Sequence, residues 1–504
     1  MARRTGDIVG HAMVGRDRGS AQPGTLSHEM GAAERRRVTV LCGVAAAIML
    51  LETWVLNVGV FPQTSVAFPL ARELQTAVGI ILPPFVALAS RRRPRVLAVR
   101  PLSVVALCLE VVGAVVLLAW RTSPLAVTVG LVMHALAGCW VTYLFGLTCC
   151  RVGATRGLAV SLALGSLAAM LISWLMPHHG YAAAVVALSA LSMVALLLTW
   201  GPAAPLAREL AAGSHADELA LANPRSFVGP TAPVFVLIVI FSAAFGLALA
   251  LGSVAYTPLV DPIQFVVTGA VAAWFAVSGD RPGRDDALFA VAACLVVAGL
   301  LATTQTWVLR AGVANGLLNA GSRCFQILTW LALAAMCARN RSASYLILSY
   351  GSVASSGGTF FGADLGHALN ALALTTPDAP ATVTAAIVLA LFAYALVGMR
   401  GFSFADTIRG IEPPRPVSAP DVATPDRAAL FARSVDDLAA TAGLTSRERQ
   451  VCDLLAHGRN ASHIQQELTI SYNTAKTHVK RVYAKLGVHS QQELIDLVEQ
   501  GMRA

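Results

Sequence analysis

The chain has 504 residues, of which 56% are hydrophobic and only 13% charged, and its mean hydropathy is +0.65. That make-up excludes an ordinary water-soluble globule and places most of the chain in a bilayer. The formal net charge of +9 rests mainly on arginine, because the only three lysines, Lys476, Lys480 and Lys485, sit together near the C-terminus.

Residues 1–37 are polar and arginine-bearing with no apolar core before Val38, so they read as a disordered cytoplasmic leader and not as a cleavable signal peptide. A helix that spans a bilayer needs about 20 mainly apolar residues. Between residues 38 and 400 twelve such runs occur, at 38–60, 73–90, 101–120, 124–149, 157–176, 180–200, 233–253, 260–278, 287–304, 311–337, 343–365 and 381–399. The longer polar loop at 201–232 divides them into two six-helix halves. Short cytoplasmic loops retain arginine. With the N-terminus inside, clusters such as Arg35–Arg37, Arg91–Arg93, Arg339 and Arg341 fall on the inner side, and only Arg72, Arg121 and Arg310 fall outside. Both ends are therefore expected in the cytoplasm of a bacterium, below its inner membrane. Eight of the nine cysteines lie in these spans with no CxxC pair, which suits reduced, packed thiols.

The loop after the eighth span, Ser278-Gly279-Asp280-Arg281-Pro282-Gly283-Arg284, resembles the cytoplasmic Gly…Asp-Arg-x-Gly-Arg signature of the major facilitator superfamily, whereas the loop after the second span, Ser90 to Arg95, is basic but lacks the aspartate and glycines. The resemblance implies that superfamily's fold, in which the first, fourth, seventh and tenth spans line a central cavity. Ionisable groups inside a bilayer are costly and mark cavities. Glu52, Asn57, His134, Trp140, Asn315, Asn319, Arg323 and Gln326 are expected to converge there, with Trp54 and Trp140 as aromatic walls. Glu52 and Arg323 suit a ligand contact and a structural ion pair equally well; Glu110 and Asp364 suit structural roles.

From 401 to 441, Pro413, Pro414, Pro416, Pro420 and Pro425 break any long helix and charge returns, so the segment reads as a linker. Residues 442–504 form a soluble four-helix unit. Thr445-Ser446-Arg447-Glu448 is a capping box that starts a first helix, which Gly458 ends. A second helix runs from about Ala461 to Leu468 and a third from about Tyr472 to Leu486. Ala475, Val479, Val482 and Leu486 recur on the third helix at spacings of three and four, and Gly487 stops it. The exposed side then carries Lys476, Thr477, Lys480, Arg481 and Lys485, with no acid between Asn473 and Leu486, which suits phosphates and groove edges.

Leu444-Thr445-x-Arg447-Glu448-x-x-Val451, followed by Ile464…Leu468-x-Ile470-Ser471-x-x-Thr474-x-Lys476-x-His478-Val479…Tyr483-x-Lys485-Leu486-Gly487-Val488, resembles the LuxR/NarL-type helix-turn-helix domain. By that resemblance Lys476, Thr477 and Lys480 reach the major groove, while Thr474, His478, Arg481 and Tyr483 meet the backbone; Lys485 meets phosphate or solvent. In that family the fourth helix pairs two domains, which makes Leu494, Ile495 and Val498 the dimer-face candidates; the same residues also suit sealing the core of a single domain. Gln491 stands where the family commonly has arginine, and Asn460-Ala461-Ser462-His463 replaces its usual Asn-Lys-Glu run.

The overall expectation is an all-α polytopic membrane protein ending in a DNA-binding domain. It would be a membrane-tethered one-component regulator that senses a small molecule and binds double-stranded promoter DNA as a homodimer, with RNA polymerase as a partner. The alternative is a transporter of small organic solutes with a regulatory DNA-binding tail. No enzyme motif, cofactor site or metal-ligand spacing is apparent.

Overall fold

A computed structural model describes residues 30–64, 71–176, 180–212, 216–252, 260–278, 283–303, 308–376, 382–387, 389–390, 394, 402–415, 417–420, 422 and 424–503. Among these residues every regular element is helical. The first half comprises α1 (Ala32–Val55), which continues through a π-turn at Leu56–Val60, α2 (Ala71–Arg92), α3 (Val99–Ala119), α4 (Pro124–Val152), α5 (Arg156–Leu175) and α6 (Tyr181–Ala211). A short helix, α7 (Ala216–Ala222), lies in the loop between halves. The second half comprises α8 (Pro233–Gly252), α9 (Val260–Ser278), α10 (Arg284–Thr303), α11 (Val308–Arg339) and α12 (Ser344–Thr375).

These eleven long helices coincide with the first eleven expected spans. The twelfth, 381–399, lies largely outside the described residues, as does most of the Asp280–Arg281 loop. Nine of the described helices are long and apolar enough to cross a membrane; the apolar part of α9 is shorter, and serine and glycine dilute α12. The fold is thus a polytopic helical membrane unit. Its helices approach closely where glycine removes a side chain: a Cβ on Gly165 would collide with the Gly43 carbonyl, and one on Gly362 with that of Ala243. The halves meet where α2 packs on α12, α4 on α11 and α5 on α9. Tyr143 of α4 and Ser349 of α12 share a buried hydrogen bond of 2.7 Å across that seam.

The expected linker at 401–441 is largely built structure. Helix α13 (Phe404–Arg409) is fixed to the membrane unit: Asp286 accepts the Phe404 amide at 2.7 Å and the Ser403 hydroxyl at 3.0 Å, and Phe404 packs on Phe289 and Phe325. Helix α14 (Pro425–Thr441) belongs to the C-terminal unit. Proline does not break it, because Pro425 stands in the first turn, where a missing N–H costs nothing. Beyond it come α15 (Ser446–Ala456), α16 (Ala461–Glu467), α17 (Tyr472–Leu486) and α18 (Gln491–Gly501). Phe431 and Val435 of α14 join Val451, Leu455, Ile464, Val479, Val482, Leu494 and Val498 in one apolar core.

Candidate nucleic-acid interface and membrane cavity

The capping box of α15 is formed: the Glu448 amide donates to the Thr445 hydroxyl at 3.3 Å, and the Thr445 amide donates to the Glu448 carboxylate at 3.0 Å. Asn460 caps α16 by accepting the His463 amide at 2.9 Å, and Ser471 caps α17 by accepting the Thr474 amide at 3.1 Å. Thr469, at φ +50°, makes the sharp turn between α16 and α17, and Gly487, at φ +67°, ends α17 in the left-handed conformation. Two capped helices joined by a tight turn, the second of them basic, form a helix-turn-helix.

Helix α17 buries Ala475, Val479 and Val482 and leaves Thr474, Thr477, Lys480 and Arg481 exposed. Lys476 and His478 are half-buried, and the Lys476 ammonium lies 5.6 Å from the centre of the Tyr472 ring. The structure thus brings the expected groove residues onto one face. Three expectations need correction. Lys485 is not a free DNA contact: its ammonium holds the Glu448 carboxylate at 2.7 Å and the Gly443 carbonyl at 2.9 Å, tying the end of α17 to the start of α15. This hydrogen bond and that from the Thr445 amide hold the Glu448 carboxyl well below its usual range, at about 2. Tyr483 is buried, which pushes its phenol up, so it does not face a DNA backbone.

The third correction concerns the dimer face. Leu494, Ile495 and Val498 are all at most 1% exposed, because α14 and α15 of the same chain both pack on α18. The Ser434 hydroxyl donates to the Val498 carbonyl at 2.8 Å, and a side chain on Gly501 would strike Ser434. Gln491 is buried and donates to the carbonyls of Leu455 and Arg459, both at 3.0 Å, closing the end of α15.

Residues 442–498 match the family of bacterial regulatory proteins, luxR family. They form a LuxR-type helix-turn-helix domain. Similar stretches occur in the transcriptional regulator MalT of Serratia proteamaculans, 39% identical over 66 residues, and in a helix-turn-helix regulator of the exeN 3′ region of Aeromonas salmonicida, 38% identical over 85 residues. These alignments cover 13% and 16% of this chain, and 7% and 43% of those proteins. Among solved structures, the human organic anion transporter MFSD10 is similar over 70% of this chain and 98% of its own, with a TM-score of 0.41 and 14% identity. The Escherichia coli fucose:proton symporter FucP is similar over 75% and 98%, with a TM-score of 0.43 and 14% identity.

A partly open cavity of about 410 Å³ lies between the halves of the membrane unit. Glu52, His134 and Arg323 line it, as expected, and so do Asn57 and Gln326. Trp54, Trp140, Asn315 and Asn319 do not: the Trp140 indole instead donates to the Ser103 hydroxyl at 3.0 Å, between α3 and α4. Uniformly apolar helices do not advertise in sequence which face turns inward. The aromatic walls come from residues such as Phe61, Phe325 and Trp330. Glu52 does not pair with Arg323. His134 lies between two carboxylates, with its Nδ1 at 3.1 Å from Glu110 and its Nε2 at 3.4 Å from Glu52, and the Ser192 hydroxyl donates to Glu110 at 2.6 Å. Arg323 donates to Gln326 on the same helix. Asp364 is exposed.

Arg72, read from sequence as an outer arginine, and Glu73, the first residue of the second expected span, open α2 and line this cavity. Arg72 lies over the Phe61 ring at 5.4 Å. Four buried polar atoms of lining residues, Asn57 Oδ1, Arg72 Nε, Glu73 Oε2 and Arg323 Nε, have no hydrogen-bond partner among the described residues. Such atoms are costly when unmet, and all four belong to residues that line the cavity.

Proposed function

We propose that the protein is a membrane-tethered one-component transcriptional regulator, in which a small molecule in the central cavity shifts the membrane unit between two states and the LuxR-type domain answers at promoter DNA. The observation that carries this reading is the solvent-exposed Thr474/Thr477/Lys480/Arg481 face of α17 on a domain that also touches the loop between the two membrane halves. Groove-reading residues and a polar membrane cavity are then mechanically connected in one chain. Arginine-rich loops favour cytoplasmic ends at a bacterial inner membrane, where DNA and RNA polymerase are available. Pairing of two domains through Leu494, Ile495 and Val498 would require the core they seal to open first.

Full-length protein in detergent should bind a fragment of its own upstream region with strong salt dependence, and Lys480→Ala should weaken that binding. No binding at about 50 mM salt, either by the full chain or by variants in which residues 216–226 no longer hold the domain, would reject the reading. The four unmet polar atoms in the cavity favour a second reading, a transporter of small organic solutes with a DNA-binding tail. Solute uptake that survives deletion of residues 401–504 would select it.

A further inference from the structure

The connection between the membrane halves does more than join them. Leu221 of α7 is 7% exposed and belongs to the apolar core of the LuxR-type domain. The Glu218 carboxylate accepts hydrogen bonds from the Asn460 amide, at 2.8 Å, and from the Ser462 hydroxyl. Arg225 lies 3.6 Å from Glu493 of α18 and 3.4 Å from Glu412, and Asn223 exchanges hydrogen bonds with the backbone of Arg415. On its other side the segment is held by the membrane unit, since the fully buried Asn340, in the turn between α11 and α12, donates to the Ser226 carbonyl at 2.8 Å.

In a helix-turn-helix the second helix enters the major groove while the first crosses the sugar-phosphate backbone. Here the first helix is α16, and its Asn460 and Ser462 are the kind of neutral donors that contact phosphate. Both are occupied by a carboxylate. A DNA phosphate and Glu218 cannot share these donors, because two anions at hydrogen-bond range repel. Helix α7 also touches α17, but Thr474, Thr477, Lys480 and Arg481 stay exposed, so the obstruction falls on backbone docking more than on base reading.

We infer that residues 216–226 form an autoinhibitory clamp: Glu218 and Leu221 hold the LuxR-type domain at its backbone-facing edge, and movement of the second membrane half, transmitted through Asn340 and Ser226, releases it for DNA. The inference rests on the DNA-binding reading above. It identifies the partner of this surface as the phosphate backbone of duplex DNA in one state and the inter-half loop in the other.

The test uses the full chain in nanodiscs and a fluorescent mixed-sequence DNA duplex at about 50 mM salt. Glu218→Ala and Leu221→Ser should each tighten binding at least about fivefold. Glu209→Ala removes a nearby acid, at the end of α6 and 3.8 Å from Arg341, and should leave binding unchanged. Hydrogen exchange across residues 216–226 should rise when duplex is added to the unsubstituted protein. If the unsubstituted protein and both clamp variants bind equally, the clamp is refuted and the DNA-binding reading stands. If none of them binds, the DNA-binding reading falls and the clamp falls with it. Tightening by Glu209→Ala equal to that by Glu218→Ala would reduce the effect to net charge and refute the clamp.

Discussion

Phe431→Ala separates a packed α14 from a free linker. Phe431 is 2% exposed, lies 4.4 Å from the centre of the His457 ring, and shares its core with Val435, Leu494 and Val498. Truncating a fully buried phenylalanine costs about 3–5 kcal/mol in lost transfer energy and cavity formation. The same change on a solvated linker stays within about 0.5 kcal/mol. Since each 1.4 kcal/mol is a factor of about ten, the lower figure corresponds to an opening of the C-terminal unit roughly 100-fold more frequent. The assay is amide hydrogen exchange of the full chain, followed at Val479 and Val482, both buried at the centre of α17. Acceleration of about two orders of magnitude, independent of protein concentration, is expected. Acceleration below threefold would refute the packing of α14. Dependence on concentration would return the α18 face to a contact between two chains.

Lys485→Ala should destabilise the domain by about 1 kcal/mol, by leaving the Glu448 carboxylate with the Thr445 amide but without its cation, and leave the salt dependence of DNA binding unchanged. Arg481→Ala should instead leave stability intact and reduce the salt slope by about one. Glu448 has a folded pKa of about 2 against an ordinary 4.5, so its contribution is present above about pH 4.5 and is lost as pH falls toward 2. Hydrogen exchange of α15 should accelerate over that window in the unsubstituted protein and much less in Glu448→Gln; equal acceleration in both would contradict the assignment. Arg72→Gln, which keeps a hydrogen-bond donor but removes the charge, should weaken capture of an anionic solute by the cavity and spare a neutral one. That comparison is measured by thermal shift of the full chain with paired solutes, and equal shifts would show that Arg72 serves packing alone.

Much of the fold is legible in the sequence because two strong signals dominate it. Long apolar runs set eleven helix positions, and the Thr445–Glu448 box with the Ala475/Val479/Val482 stripe fixes the helix-turn-helix and its exposed face. Proline in the 401–441 segment concealed α14, although Phe431, Ser434, Val435 and Leu438 already carry the i, i+3, i+4, i+7 pattern of a buried helical stripe. Lys485 was misplaced because its partner, Glu448, lies 37 residues earlier in the chain. Arg72 reads in sequence as topology because it stands beside a span, and Glu73 as the first residue of one; the start of α2 at Ala71 brings both to the cavity. The face of α4 that holds Trp140 is set by packing, which composition does not encode.

The anchoring of α13 changes the geography of gene control. With Asp286 holding Ser403 and Phe404, and Arg339 donating to the Ile411 carbonyl at 3.0 Å, residues 412–424 are all the chain that lies between the last of these anchors and α14. Thirteen residues span at most about 45 Å when fully extended, less than two turns of duplex DNA beyond the membrane unit. On the regulator reading proposed above, the domain would not search the nucleoid: a promoter under its control would have to visit the membrane, and chromosome position and local compaction would set the response time as much as ligand affinity.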